Sequence, residues 1–254
     1  MKIQFCSDLH LEFPENKEFL KTNPLKVNGD ILVLAGDIVP FTVMDNHKDF
    51  FEYLSDNFKY TYWIPGNHEY YRFDITQKSG ALNEKIRSNV FLINNTSVIH
   101  HNVKFIFSTL WSKIRPAYQW QIERGISDFH AIKYNGYRFS TEKFNQLYEE
   151  SLRFINQELI VEKPYETIVV THHVPSFLNY PEKYKGDVLN DAFAVELNDL
   201  IEKSKINYWI FGHHHQNIPD FKIGNTILVT NQLGYVKCNE HSQFMNNRVI
   251  SVCP

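Results

Sequence analysis

Short apolar runs alternate with longer amphipathic stretches along the 254-residue chain. Runs rich in β-branched residues predict buried strands at residues 3–6, 31–35, 60–64, 103–110, 167–171 and 208–211. Between them, apolar positions spaced by three and four residues predict helices at residues 46–58, 76–88, 141–159 and 189–203. This alternation indicates an α/β fold in which helices cover buried strands.

The chain shows no internal repeat and no linker rich in Pro, Ser or Gly, so residues 1–254 are predicted to form one domain. Residues 112–139 interrupt the alternation, because they lack a clean period, and are interpreted as an inserted loop region. Basic and aromatic residues are interleaved there, which suits a ligand with a phosphate and a base. Arg115 and Arg124 are the candidate substrate-binding residues of this region. A solvated loop whose aromatic side chains cover the sheet edge is the alternative interpretation.

Charge and cysteine content narrow the class of protein. The formal net charge of −3 provides no global positive field that would hold nucleic acid or an anionic membrane. The apolar runs have the length of strands and are too short for a membrane helix. At the N-terminus, the charge of Asp8 comes before an apolar stretch long enough for a signal peptide can form. Three cysteines without a C-x-x-C spacing, Cys6, Cys238 and Cys253, are typical of reduced thiols. A soluble, cytoplasmic protein is therefore expected, with its oligomeric state left open.

Polar residues follow the predicted strands at the points where they end. The blocks are Asp8-x-His10, Gly36-Asp37, Gly66-Asn67-His68-Glu69, His172-His173 and Gly212-His213-His214-His215. About 30 residues separate Asp8 from Asp37 and Asp37 from Asn67, the length of one βαβ unit. Because the carboxyl ends of parallel strands meet at one edge of a sheet, these five blocks are expected to converge there.

Two carboxylates, one amide oxygen and several imidazoles form a mixed oxygen and nitrogen donor set. Such a set favours Zn, Mn or Fe over Ca or Mg, and it exceeds the needs of one four-coordinate ion. A carboxylate that bridges two ions about 3.5–4 Å apart would suit in-line displacement at phosphorus. Water held between the ions would then be the nucleophile, so no Ser or Cys nucleophile is required.

The five blocks, in this order over residues 8–215, resemble the signature of the calcineurin-like metallophosphoesterases. The resemblance implies a four-layer α/β/β/α sandwich of two mixed sheets flanked by helices, with a dinuclear centre of divalent or mixed-valence Mn, Fe or Zn at one end. It implies two sets of metal ligands joined by a bridging Asp37: Asp8, His10 and His215 for one ion, and Asn67, His172 and His213 for the other.

The same resemblance gives His68 the role of general acid near the leaving oxygen. It also selects His172 over His173 as a ligand, and leaves His173 and His214 as pocket-lining, candidate substrate-binding residues. Glu69 either caps the segment that follows it or orients His68.

The sequence departs from the protein phosphatase branch of the family. That branch continues its Gly-Asp block into Asp-Arg-Gly, whereas Gly36-Asp37 is followed here by Ile38 and Val39. The missing carboxylate would orient His68, and the sequence does not identify a replacement. The simpler bacterial branch that resembles cyclic-nucleotide and other phosphodiesterases is the nearest match.

Three functions follow as hypotheses. The leading one is a metal-dependent hydrolase that cleaves a small phosphodiester or phosphomonoester by in-line attack of metal-bound hydroxide. A nuclease is the alternative within the enzymes, disfavoured by the net charge and mildly favoured by residues 112–139. A non-catalytic binding protein on the same fold is the alternative from another class.

Overall fold

Two sheets, each of six strands over the described residues 1–160 and 166–252, form the centre of this computed structural model. The strands are β1 (Lys2–Cys6), β2 (Ile31–Ala35), β3 (Tyr60–Ile64), β4 (Leu82–Arg87), β5 (Val90–Asn94), β6 (Thr96–His100), β7 (Val103–Ser108), β8 (Lys133–Tyr134), β9 (Tyr137–Arg138), β10 (Glu166–Thr171), β11 (Tyr208–Phe211), β12 (Phe221–Ile223), β13 (Thr226–Thr230) and β14 (Val249–Ser251). The first sheet has the order β14-β1-β2-β3-β5-β4, and the second has the order β12-β13-β11-β10-β7-β6. Each sheet is parallel in its centre and antiparallel at both edges, while β8 and β9 form a separate small hairpin.

Helices cover the outer face of each sheet. They are α1 (Pro14–Thr22), α2 (Lys48–Asn57), α3 (Gln119–Gly125), α4 (Asp128–Ala131), α5 (Thr141–Ile160) and α6 (Asn198–Lys203). Leu20 of α1 and Leu54 of α2 belong to the core on the outer face of the first sheet. Phe144 of α5 and Ile201 of α6 belong to the core on the outer face of the second. The expected four-layer α/β/β/α sandwich is confirmed.

The inner core lies between the two sheets, and strand β2 shows why its sequence is apolar throughout. Ile31 and Val33 of β2 point into the layer between the sheets. Leu32 and Leu34 alternate to the opposite face, where they pack with the first helical layer. A strand buried on both faces needs apolar residues at every position, so it reads as a continuous run.

The prediction of a helix over residues 76–88 is wrong. Residues 82–87 form strand β4, which pairs antiparallel with β5 at the edge of the first sheet. Half-buried Leu82 and Glu84 alternate with exposed Asn83 and Lys85, the period of two that a one-sided edge strand requires. The spacing of the apolar residues here fits the helical period of about 3.6 as well as the strand period of two. Pairing with β5, a tertiary interaction, makes the segment a strand.

The other predicted helices have mixed outcomes. The segments 46–58 and 141–159 are confirmed by α2 and α5. Residues 189–203 do not form one helix, because only α6 is α-helical and a short 3₁₀ turn, Val188–Ala192, precedes it. Between these two elements, Ala194 bridges to Val174 in an extended conformation. Helix α1 was not predicted, since its first turn is dominated by charged and polar residues.

Residues 112–139 fold into α3, α4 and the β8–β9 hairpin rather than an irregular loop. Ile122, Phe129 and Phe139 from this region are buried in the core of the second sheet. Trp120 and Tyr137 remain 67% and 80% exposed. The region therefore contributes to the core and also carries exposed aromatic rings.

The predicted strands that precede the candidate ligands end at the same edge of the sandwich. Strands β1, β2 and β3 belong to the first sheet, and β10 and β11 to the second. A contact of 2.9 Å between His172 Nδ1 and the carbonyl oxygen of Ala35 joins the ends of β10 and β2. The five polar blocks thus meet across the interface of two sheets.

None of the helices in residues 1–160 and 166–252 combines the length and the apolar character needed to span a bilayer.

Candidate metal centre

Seven predicted ligands come together at this edge in two overlapping groups. Asp8, His10, Asp37 and His215 form one group, and Asp37, His172 and His213 form the other, with donor atoms within 4.8 Å of one another in each. Asn67 joins the second group, since its Oδ1 lies 3.1 Å from His172 Nε2. Asp37 belongs to both groups, which is the position that a bridging ligand requires.

The backbone at these ligands adopts a conformation that is costly for residues other than glycine. The φ angles of five candidate ligands lie in the left-handed region, at 57° for Asp8, 47° for His10, 56° for Asp37, 82° for His213 and 52° for His215. Each such residue costs about 1 kcal/mol or more, and the surrounding structure must maintain it. The sharp turns that follow the strands direct these side chains to one point.

Glycine is required beside the donor atoms because the backbone approaches them closely. A Cβ atom at Gly66 would lie 2.2 Å from Asp37 Oδ1 and 2.7 Å from His172 Nε2. At Gly36, whose φ is +88°, it would lie 2.4 Å from His172 Nδ1. The glycines of the Gly-Asp and Gly-Asn-His-Glu blocks therefore make room for the donor side chains.

Each candidate histidine ligand uses one ring nitrogen to contact an acceptor outside the centre. His10 Nδ1 lies 3.2 Å from Glu12 Oε1, and His215 Nδ1 lies 2.8 Å from Glu240 Oε2. His172 Nδ1 contacts a backbone carbonyl, as does His213 Nε2, which lies 3.3 Å from the carbonyl oxygen of Ala192. These contacts select the tautomer in which the other nitrogen presents its lone pair to the centre.

The resulting donor set fits metal ions. His10 Nε2 lies 2.9 Å from His215 Nε2, and His172 Nε2 lies 3.0 Å from His213 Nδ1. Two ring nitrogens at these distances are close enough to bind the same cation. Burial raises the pKa of Asp37, but the charges of nearby histidines outweigh it and hold that pKa well below its usual range, so the shared carboxylate is ionised.

The amide of Asn67 is oriented by a buried carboxylate that the sequence reasoning did not assign. Asn67 Nδ2 donates a hydrogen bond to Asp128 Oδ1 at 2.8 Å, which turns the amide oxygen toward the centre. The hydroxyl of Tyr71 donates to the same oxygen at 2.9 Å. Asp128 lies in region 112–139, where the sequence showed it only as one charge among many.

Glu69 has neither of the roles considered for it. Its Oε2 accepts hydrogen bonds from the backbone N–H groups of Gly66 and Asp37, at 2.7 and 3.0 Å. Its Oε1 accepts from the N–H of Ile38 and from Trp63 Nε1, at 2.7 and 2.9 Å. Glu69 therefore joins the ends of β2 and β3 and fixes the backbone on both sides of Asp37.

Glu12 contacts His68 and supplies the orienting carboxylate that the sequence did not identify. Its Oε1 lies 3.0 Å from His68 Nδ1 and 3.2 Å from His10 Nδ1. Burial raises the pKa of Glu12, but the hydrogen bonds from both histidines lower it to about 2. The only sequence signal was its place two residues after His10, where a side chain on the same loop can reach the centre.

Of the four candidate substrate-binding residues, only His214 lines the cavity beside the centre. Burial lowers the pKa of His214 to about 4. His173 is fully buried against Trp111 and lies outside the cavity lining. Neither Arg115 nor Arg124 lines the cavity: Arg115 forms an ion pair with Asp191, with Nη2 2.7 Å from Oδ1, and Arg124 stacks on the exposed Trp120.

Loss of the carboxylate behind His215 is expected to weaken metal binding. In Glu240→Gln, the anionic acceptor of the His215 Nδ1–H becomes neutral, so the ring is held less firmly and is a weaker donor. We expect affinity for Mn²⁺ to fall about 10- to 100-fold, measured by metal titration of stripped protein. Glu150→Gln, on the exposed face of α5, is the matched control. Equal Mn²⁺ affinity in the two variants would contradict this role.

Comparisons with known proteins agree with this architecture. The model of the calcineurin-like phosphoesterase family matches residues 1–217. An uncharacterized protein of Acanthamoeba polyphaga mimivirus is 32% identical over 260 residues, covering 92% of this chain and 91% of the relative. The phosphopantetheinyl hydrolase of Mycobacterium tuberculosis has a similar fold, with a TM-score of 0.72, 14% identity and coverage of 100% of this chain and 96% of that chain. A dimetal phosphatase from Danio rerio matches at a TM-score of 0.49 and 12% identity, covering 91% of this chain and 87% of that chain. With a family model spanning most of its length, this chain belongs to the calcineurin-like phosphoesterases.

Proposed function

We propose that this protein hydrolyses a small phosphoester at a centre of two metal ions. The observation that carries the proposal is the shared carboxylate of Asp37, which lies in both groups of donor atoms and beside His68. Two ions about 3.5–4 Å apart are suited to in-line displacement at phosphorus. A non-catalytic binding protein would not need a proton-donating histidine at this position.

The residues divide into two ligand sets. Asp8, His10 and His215 would hold one ion, and Asn67, His172 and His213 the other, with Asp37 shared between them. When bound, ions such as Mn, Fe or Zn supply the Lewis acidity that activates water and neutralises charge on the phosphoryl oxygens.

His68 is the group that we assign to the leaving oxygen. Its Nδ1 is held by Glu12, while its Nε2 lies 3.3 Å from the Tyr235 hydroxyl at the cavity wall. Burial lowers the pKa of His68, but the charge of Asp37 and the hydrogen bond to Glu12 outweigh it, so the net shift is upward. A protonated His68 would donate its Nε2 proton to the departing oxygen as the bond to phosphorus breaks.

A nuclease is a weaker candidate. The net charge is negative, and the described residues that line the cavity include no Lys or Arg to neutralise successive phosphates. Phosphopantetheinyl compounds, which the name of the Mycobacterium tuberculosis hydrolase mentions, belong in a first substrate screen. The cytoplasmic location stays a prediction from the sequence.

Removal of metal is expected to abolish hydrolysis, and reloading is expected to restore it. Protein stripped with a chelator should lose at least about 100-fold in turnover of bis-p-nitrophenyl phosphate or p-nitrophenyl phosphate, because the nucleophile is no longer activated. Mn²⁺ should restore turnover, and Ca²⁺ should not, since imidazole nitrogen is a poor ligand for Ca²⁺. Both esters are assayed side by side, so that the faster reaction identifies the ester class. Turnover that survives complete stripping would contradict the proposal.

A further inference from the structure

The candidate metal centre opens into a cavity of about 340 Å³. Asp37, Asn67 and His213 lie at its floor, and residues 125–128 and 180–193 contribute walls. This volume is at the small end of the range for small-molecule pockets, so it accommodates a compact ligand rather than a polymer.

The walls of this cavity are rich in rings. They include Tyr71, Tyr180, Tyr184, Phe193 and Tyr235. Tyr71 stacks on His68 with 4.0 Å between ring centroids, and Phe193 stacks on His213 at 4.6 Å. Ile126 and Leu189 add aliphatic surface. A group attached to a phosphate at the floor would therefore contact aromatic and apolar surface directly beside the centre.

Apart from the histidines His68, His213, His214 and His215, the charged residues of the cavity are acidic. Among the described lining residues there is no Lys or Arg, whereas Asp128, Asp187 and Glu240 are present. The nearby base Lys183 lies outside the lining, with its Nζ 4.6 Å from the centroid of the Tyr184 ring. A second phosphate in this cavity would find no Lys or Arg among the described lining residues and would face carboxylates.

We propose that the cavity selects phosphoesters that carry a single phosphate group and an uncharged aromatic substituent. This inference rests on the proposed function, because the phosphate is taken to bind at the metal centre. The substituent packs against the rings of the wall, and the lack of Lys and Arg in the described lining disfavours polyanionic substrates. Nucleoside triphosphates and nucleic acids are disfavoured on the same ground.

Phosphonates test this selection without the reaction itself. Their P–C bond is not hydrolysed, so differences in leaving group do not affect the result. Calorimetry on Mn²⁺-loaded protein compares methylphosphonate, benzylphosphonate, 1-naphthylmethylphosphonate and p-xylylenediphosphonate. We expect the naphthyl compound to bind at least about tenfold more tightly than methylphosphonate, because it buries a ring. The diphosphonate should bind less tightly than benzylphosphonate, its matched single-phosphonate analogue.

Variants locate the effect in the cavity. Tyr184→Ala should reduce the ratio of naphthyl to methyl affinity at least about threefold, since it removes one ring of the wall. Tyr137→Ala removes a ring that is 80% exposed and lies outside the cavity lining, and it should leave the ratio unchanged. A ratio of affinities is compared because it cancels any change in metal occupancy.

The outcomes separate this inference from the proposed function. Equal affinity for the methyl and naphthyl compounds overturns the inference, and so does a diphosphonate that binds at least as tightly as benzylphosphonate. In that case Mn²⁺-dependent binding of methylphosphonate, with Mn²⁺-dependent ester hydrolysis, would still support the proposed function. If no phosphonate binds in an Mn²⁺-dependent manner and neither ester is hydrolysed, the proposed function fails and the inference fails with it.

Discussion

Asp37→Asn is expected to remove metal binding and hydrolysis together. The carboxylate belongs to both donor groups, and its Oδ2 lies 3.4 Å from His172 Nε2 and 3.8 Å from His10 Nε2. Asparagine removes the negative charge between two cations and offers only one oxygen. We expect fewer than two metal ions per chain by elemental analysis. We also expect kcat/KM to fall by at least about a thousandfold, the scale of several kcal/mol of lost transition-state stabilisation.

The control for this variant is Asp45→Asn. Asp45 is 87% exposed and forms a surface ion pair with Lys48, so its loss should change neither metal content nor hydrolysis. Near-ultraviolet circular dichroism would show whether Asp37→Asn keeps its tertiary packing. A folded Asp37→Asn protein that retains two ions and full activity would exclude the bridging role.

The parts of the fold that the sequence predicted well are those with a local signal. Strand β2 is buried on both faces, so each of its residues is apolar and the run is unmistakable. Strand β4 is an edge strand with one exposed face, and Leu82 and Ile86 also fit a helical spacing. Its pairing with β5 is a tertiary interaction, which local periodicity does not encode.

The candidate ligands were visible because they are polar residues placed directly after apolar strands. The groups behind them were not. Glu12, Asp128 and Glu240 look like ordinary surface charges in the sequence, and Glu240 lies 25 residues beyond the histidine that it contacts. Only the fold shows that each of these carboxylates accepts a hydrogen bond from a candidate ligand or from His68.

In region 112–139 the sequence pointed to Arg115 and Arg124, whereas residues 125–128 are the ones that line the cavity. The interleaved basic and aromatic residues favoured a substrate-binding loop, yet Arg115 pairs with Asp191 and Arg124 stacks on Trp120. Composition shows which interactions a segment can make, but it does not show whether they are made within the chain. Asp128, which the sequence did not single out in this region, is the residue that contacts the centre through Asn67.

His68→Ala is expected to slow hydrolysis while both ions remain bound. His68 belongs to neither of the donor groups that share Asp37, so its loss should leave the metal content at two. The deficit should depend on the leaving group. An alkyl ester needs a proton on its departing oxygen, and we expect kcat to fall about 100- to 10,000-fold. A p-nitrophenyl ester departs as a stable anion, and the loss should be less than about tenfold. Equal losses for both esters would exclude the general-acid role.

Glu12→Gln tests how His68 is held and charged. The carboxylate of Glu12 raises the pKa of His68, so its neutralisation should lower that pKa and move the alkaline limb of the kcat profile to lower pH. Glu15→Gln, three residues along the chain and exposed, should leave the profile unchanged. Because Glu12 also contacts His10, part of its effect must pass through the metal centre. The effect of Glu12→Gln on kcat is therefore measured twice, once in the native protein and once in His68→Ala. The share of the effect that is lost in the His68→Ala background is the share that acts through His68. Equal effects in the two backgrounds would show that Glu12 does not act through His68.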